Sequence, residues 1–168
     1  MPQFVTFYLN QKRYAIDILL CKEIAKIQEI TPVAEAPEYL LGLINLRGQI
    51  LTVMDICCFI YYNQQISLSE RKYLIILRTS TELKNRGIQM DFQYLIKDPL
   101  AIVVDKLGDI IDISHSEIFP PTPNLIEQEK KFISGIIQSK NNLIGILEMD
   151  KIVNQCISIP KNTLRSLI

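Results

Sequence analysis

Three aspartates, Asp55, Asp105 and Asp150, each follow an apolar run, the setting in which strand-end carboxylates do acid/base or metal chemistry. Paired-carboxylate catalysis needs two such groups close together, in environments that push their pKa values in opposite directions. Linear sequence brings no two of them together, and turn formation or hairpin capping also places Asp at strand ends. His115 is the chain's one imidazole, within Ser114-His115-Ser116-Glu117, a stretch that reads as the cap of a short turn. A single imidazole excludes a His-rich metal site, and no local signature pairs it with a cysteine nucleophile. Cys21, Cys57, Cys58 and Cys156 show neither CxxC nor Cys/His spacing, so they read as small hydrophobes kept reduced. With 6 Gly in all, neither GxGxxG nor GxxxxGK occurs, and no loop is built to cradle a phosphate. The expectation is a protein with no catalytic residue, no metal and no cofactor. A metal-dependent hydrolase built on the three aspartates is the remote alternative.

Residues that could bind a partner stand out more. Asn45-Leu46-Arg47-Gly48 puts a bidentate donor beside an apolar residue at a hairpin tip, the composition of a small interaction hot spot; an ordinary solvated turn arginine is the rival reading. Residues 21–24 and 107–110 each mix apolar side chains with a carboxylate. If the two halves of the chain pack with pseudo-symmetry, these segments would line one groove suited to an amphipathic helix, with core packing as the rival explanation.

The elements that position these residues are mostly strands. Of the 168 residues 48% are hydrophobic, and 29 Ile and 6 Val stand against 5 Ala, a balance that suits a pleated, half-buried surface better than a helix. The length corresponds to about one domain, long enough to bury its own core. Lys plus Arg and Asp plus Glu each number 18, leaving no net field for a polyanion, so nucleic acid is not expected as a partner. The start of the chain lacks the regions of a secretory signal, and the most apolar stretch, 50–62, is too short to span a bilayer and contains Asp55.

Alternation predicts a hairpin from residues 4–9 and 14–18, then one helical turn and a strand over 19–27. A second hairpin is expected from 42–46 and 49–56 across Arg47-Gly48, where Gly supplies the positive φ of a tight turn. Residues 73–77 read as a strand covered on both faces, and 78–99 as an exposed excursion with a possible extra strand at 92–96. Strands at 100–104 and 110–113 are separated by Asp105-Lys106-Leu107-Gly108, and Phe119-Pro120-Pro121-Thr122-Pro123 forces an extended linker. A last hairpin, 132–137 with 143–149, and a short amphipathic helix at 150–155 close the chain. The halves repeat: Ala15-Ile16 with Glu23-Ile24 matches Ala101-Ile102 with Asp109-Ile110. Gly42-Leu43-Ile44 running to Met54-Asp55 likewise matches Gly135-Ile136-Ile137 running to Met149-Asp150, with a two-residue difference in the hairpin. Two related small β-barrels with a cleft between them are the expected outcome.

Ala36-Pro37-Glu38-Tyr39-Leu40-Leu41-Gly42-Leu43-Ile44-Asn45-Leu46-Arg47-Gly48-Gln49-Ile50, continuing into Val53-Met54-Asp55-Ile56, closely resembles the signature of the CheW family, the chemotaxis coupling proteins. Ala101-Ile102-Val103-Val104-Asp105 and Phe132-Ile133-Ser134-Gly135-Ile136 extend the resemblance over nearly the whole chain, except about 79–97. It implies a mainly β fold: one CheW-like domain, 1–168, with two small SH3-like five-stranded β-barrel subdomains packed together, short helices, halves near 1–69 and 70–168, and an inserted loop at 79–97. It also implies a non-enzymatic adaptor that couples the cytoplasmic hairpin tip of methyl-accepting chemoreceptors to the histidine kinase CheA. Such an adaptor is cytoplasmic, with no direct membrane insertion, and reaches receptor arrays through its partners. A type IV pilus twitching-motility or phototaxis pathway is the alternative setting. By matching position, Gly42, Asn45, Leu46, Arg47 and Gly48 fall where similar proteins meet the kinase's regulatory CheW-like domain. Cys21, Glu23, Ile24, Leu107 and Ile110 fall near the groove associated with receptor tips. Thr52 stands where the family often has Pro, and Cys21 where a β-branched residue is usual.

Overall fold

Strands buried on both faces account for the unbroken apolar runs. The computed structural model describes residues 1–61, 71–89 and 96–157. Its strands are β1 (Gln3–Leu9), β2 (Lys12–Asp17), β3 (Cys21–Lys26), β4 (Leu40–Leu46), β5 (Gln49–Met54) and β6 (Tyr73–Leu77), followed by β7 (Leu100–Val104), β8 (Lys106–Asp112), β9 (Ile118–Phe119), β10 (Ile133–Ser139) and β11 (Asn142–Leu147). Short helices α1 (Cys57–Ile60), α2 (Ser80–Asn85), α3 (Glu127–Phe132) and α4 (Met149–Ile157) lie between and after them. One mixed sheet has the order β8-β1-β2-β11-β10-β9 and the other β3-β6-β7-β5-β4.

Three apolar clusters result. Val5, Phe7, Tyr14 and Ile16 of the first sheet meet Ile75, Leu77, Ile102 and Val104 of the second, and the helices add Ile60, Leu83, Phe132 and Ile152 to this shared core. The opposite face of the second sheet buries Ile44, Leu51, Val53, Leu74, Ile76, Ala101 and Val103. That of the first buries Phe4, Ala15, Ile137, Ile144 and Ile146. Alternate residues of β6 and β7 thus enter different cores, and no polar face is needed. Each fully buried Ile or Leu contributes about 1.5–3 kcal/mol, so Ile-rich strands are what this layering selects.

The repeat is visible in the strand registers. Val5 pairs with Ile16 and Thr6 with Ala15, as Ile75 pairs with Ile102 and Ile76 with Ala101. Ile146 meets Ala15 and Val53 meets Ala101 in the two parallel pairings. The two-residue difference expected between the hairpins is absent. The turns Arg47-Gly48 and Lys140-Asn141 lie equally far from Gly42 and Gly135, and both hairpins carry a bulge just before that glycine. Asp55 N–H donates to the Tyr39 carbonyl as Glu148 N–H donates to that of Phe132. The structural mate of Asp55 is therefore Glu148, not Asp150.

Each sheet draws strands from both halves of the sequence: β8–β11 join β1 and β2, while β3–β5 join β6 and β7. Two SH3-like subdomains form, as the resemblance implies, but the sheets stay open rather than closing into true barrels, and β9 adds a sixth strand to the first. In the second, an isolated bridge between Thr31 and Leu43 fills the place that β9 takes in the first, where Phe119 faces Ile136.

Elsewhere the local expectations differ in part. The turn at Ile18–Leu20 precedes β3 as read. Lys106, Leu107 and Gly108, expected as a connection, belong to β8, because the chain crosses between sheets at Asp105 and pairs with β1 at once. The excursion contains helix α2, started by a capping box in which Thr79 and Glu82 satisfy each other's backbone N–H groups, with Leu83 buried beneath. The expected strand at 92–96 lies outside the described residues except for Ile96, which is buried. Helix α3 had no capping signal.

Two outcomes follow for α2. Thr79→Ala is expected to lower unfolding free energy by about 1 kcal/mol in urea titrations, the usual loss for an N-cap. Burial works against the ionised Glu82 carboxylate, but Lys22 and the Thr79 N–H hold its pKa below the usual value. A depressed carboxylate stabilises the fold above its unfolded pKa of about 4.3 and loses that contribution as pH falls through the folded value. The stability difference between the protein and Glu82→Gln should therefore close below about pH 4.

Candidate functional site

Two of the three aspartates do meet, around a cation that sequence reading missed. Arg71 enters just before β6 with 1% of its side chain exposed; its Nε lies 3.5 Å from Asp55 Oδ2. Its Nη1 donates to Asp105 Oδ1. Asp55 Oδ1 also accepts from Cys57 N–H at 3.0 Å, and Asp105 Oδ2 from Asn10 N–H at 2.8 Å in the β1–β2 turn. Burial opposes the charged guanidinium but is outweighed by the groups around it, Asp55 and Asp105 among them, which hold the Arg71 pKa above its usual range. Burial also raises the Asp55 pKa, and Arg71 and the Cys57 N–H only partly offset it. Asp150 is elsewhere, in the first turn of α4. Among the described residues no three His, Cys, Asp or Glu side chains are grouped so as to hold a metal ion. The guanidinium occupies the position between carboxylates that a metal would need, so this cluster is an internal ion network, and the hydrolase alternative loses its site.

The hairpin-tip residues form one surface. Arg47 and Gly48 both have positive φ, 53° and 85°, as a two-residue turn of this type demands. Asn45 Oδ1 accepts from Gly48 N–H at 2.9 Å and fixes the turn from within. The Arg47 side chain is 75% exposed and forks onto Glu23 of β3, with Nη2 2.6 Å from Oε1 and Nη1 3.3 Å from Oε2. Leu46 is half-buried against the second sheet's own core. Gly42 is buried: at φ 145°, a Cβ there would overlap the Thr31 carbonyl, so its backbone passes directly against the bridging segment. Asn45, Arg47 and Gly48 are accessible, and Gly42 shapes the strand that carries them.

The edge-strand residues divide between the sheets. Cys21, Glu23 and Ile24 are on β3, the outer strand of the second sheet; Leu107 and Ile110 are on β8, the outer strand of the first. Register makes Ile24 and Ile110 equivalent, since they face Ile75 and Val5, and both are exposed. The ion pair Arg47–Glu23 joins the β3 group to the hairpin tip. Cys21, Cys57 and Cys58 are free. Burial raises all three thiol pKa values, that of Cys58 to about 11, so they remain protonated at neutral pH. Sequence reading also missed a second exposed pair, Ile50 and Leu143, at equivalent positions beside the two hairpin turns and 56% and 57% exposed. A second buried polar cluster escaped it too. Tyr14 hydroxyl contacts Tyr61 hydroxyl and donates to Glu129 Oε1 at 3.1 Å, where Lys12 Nζ also binds at 2.8 Å. Only repeat-aware alignment would have exposed the first, and only tertiary packing the second.

The CheW-like domain model matches residues 3–156. The chain is 29% identical over 157 residues to the chemotaxis protein CheW of Helicobacter pylori, covering 91% of this chain and 82% of that protein. It is 25% identical over 153 residues to the chemotaxis protein CheW of Treponema pallidum, covering 89% and 81%. Among solved structures, the scaffolding protein TtCheW from Thermoanaerobacter tengcongensis superposes with a TM-score of 0.67 at 26% identity, covering 88% of this chain and 90% of that one.

Glycine replacements separate the two turn positions. Gly42→Ala should destabilise by about 3 kcal/mol or more, through strain and overpacking against backbone. Gly48→Ala, with open space around it, should cost about 1–2 kcal/mol. Arg71→Met would leave two buried carboxylates without a cation, a loss of about 3–5 kcal/mol at neutral pH. Without Arg71 to offset burial, the folded Asp55 pKa would stay raised, and such an acid destabilises above the unfolded pKa of about 3.9. Denaturation across pH should show the deficit of Arg71→Met shrinking as pH falls towards 4.

Proposed function

The chain belongs to the CheW-like domain family, and from that premise we propose that, as a non-enzymatic scaffold, it couples chemoreceptors to the histidine kinase CheA by holding both at once. The hairpin tip of Asn45, Leu46, Arg47 and Gly48, shaped by Gly42, takes the kinase's regulatory CheW-like domain. The edge strands, through Cys21, Glu23, Ile24, Leu107 and Ile110, take the cytoplasmic hairpin tip of a receptor. The observation that carries the reading is the forked Arg47–Glu23 pair, which joins a turn built for bidentate recognition to an edge strand bearing an exposed isoleucine. No reaction and no cofactor are part of this function; the product is the juxtaposition of partners. Interfaces of about 1,200–2,000 Å² each would be sufficient, because repetition across an array multiplies weak contacts into avidity. The location that accompanies the role is cytoplasmic, at receptor arrays through partners; no helix among the described residues is long and apolar enough to cross a membrane. Relatives named as chemotaxis proteins favour chemotaxis over a pilus-based or phototaxis pathway, and genes neighbouring this one distinguish the two.

Arg47→Asp tests the kinase surface. An exposed ion pair contributes only about 0–1 kcal/mol to stability, so the fold should persist. Truncating a hot-spot side chain at an interface costs about 2 kcal/mol or more. Calorimetry with the CheA regulatory domain should show affinity reduced about 30-fold; unchanged affinity would remove Arg47 from the interface. Ile110→Asp should weaken receptor-fragment binding while leaving kinase binding intact.

A further inference from the structure

We propose that Arg71 is a positioning residue for this adaptor role. It holds the hairpin that carries Arg47 and the strand that carries Leu107 and Ile110 in one fixed relation, so that docking at one is felt at the other. The inference rests on the two-partner reading above.

Arg71 touches the roots of both docking elements. Asp55 closes the base of the β4–β5 hairpin: it follows β5 directly, and its N–H donates to the Tyr39 carbonyl just before β4. Asp105 is the corner at which the chain leaves the second sheet at the end of β7 and enters the first as β8. Its N–H donates to the Tyr8 carbonyl and its Oδ2 accepts from Asn10 N–H. One guanidinium, its planar fork spanning both carboxylates, therefore joins the hairpin base to the crossover that starts β8.

The repeat supplies an internal control. Glu148, the mate of Asp55, makes the same backbone closure to Phe132 with no buried arginine beside it among the described residues; its side chain pairs instead with Lys151, which is 55% exposed. By register, Met1 occupies the place in the first half that Arg71 holds in the second. The fold closes a hairpin base without a guanidinium, so among the described residues Arg71 is an addition confined to the sheet that carries Arg47. It is also poorly matched to a purely stabilising role. Arg71 Nε and Nη2 are both buried with no hydrogen-bond partner among the described residues, Nε meeting Asp55 as an ion pair only, and buried ion networks contribute geometry more dependably than stability.

The test measures coupling. Affinity of the full chain for the CheA regulatory domain is measured by calorimetry with and without a saturating receptor cytoplasmic fragment. It is repeated with Arg71→Lys, which keeps the charge but not the fork, and with Asp105→Asn, which keeps the shape but not the charge. Thermal melts identify folded variants. In the natural protein the receptor fragment should change kinase affinity at least about five-fold, the lower end of ordinary coupling. In the variants that factor should fall below about two, while affinity for each partner alone stays within about two-fold. The inference is overturned if either folded variant retains the full factor, if both separate affinities fall along with stability, if neither variant folds, or if the natural protein shows no factor to lose. Should the natural protein bind neither partner, the adaptor reading itself fails, a result distinct from each of these.

Discussion

A guanidinium sealed from water remains charged only where carboxylates surround it, and Arg71 is in that position between Asp55 and Asp105. The arrangement ties together the end of β5, the start of β6, the corner between β7 and β8, and the β1–β2 turn through Asn10. Those four points belong to both sheets. The aspartates that most resembled catalytic groups are therefore consumed in holding the subdomains together. Each carboxylate is already engaged by donors, and a guanidinium fills the place between them where a substrate would sit.

Around this junction the duplicated chain folds as one unit. Neither half owns a sheet; each contributes strands to both, and the largest apolar cluster lies between the sheets. A strand pairing broken in one half exposes surface in the other, which favours cooperative unfolding. Duplication also explains why glycine recurs before Leu43 and before Ile136, since in each half a short crossing segment passes over that point of the hairpin.

The surfaces left over are edges and turns, which suits the docking role proposed for this chain. Free strand edges invite uncontrolled pairing, and charged residues guard against it. Here Lys22 and Lys26 flank Ile24 on β3, while Asp109 and Asp112 flank Ile110 on β8. An exposed aliphatic between charges would serve the proposed docking as an anchor with a polar rim, without presenting a bare sheet edge. Placing such anchors on strands and tight turns, rather than on long loops, lets a bound partner act against a rigid frame.

How much could be read beforehand depended on the range of the interaction. The hairpins, the Arg47-Gly48 turn, the turn before β3 and the closing helix were legible, because alternation, positive-φ residues and amphipathic spacing are local. The repeat was legible too, although its hairpin register was not: matching Asp55 to Asp150 followed residue identity, whereas backbone pairing follows hydrogen-bond spacing and selects Glu148. Helix α2 had a readable cap in Thr79 and Glu82, whereas α3 had no cap and only the acidic first turn of Glu127 and Glu129. By itself the sequence determined a mainly β, duplicated chain of no net charge bearing a recognisable hairpin. Only the tertiary structure decided that strands of both halves share each sheet, that Glu23 meets Arg47, and that Asp55 and Asp105 meet on Arg71. Those contacts join residues far apart in the chain, and a pairing between distant residues leaves no periodicity in the sequence from which it could be read.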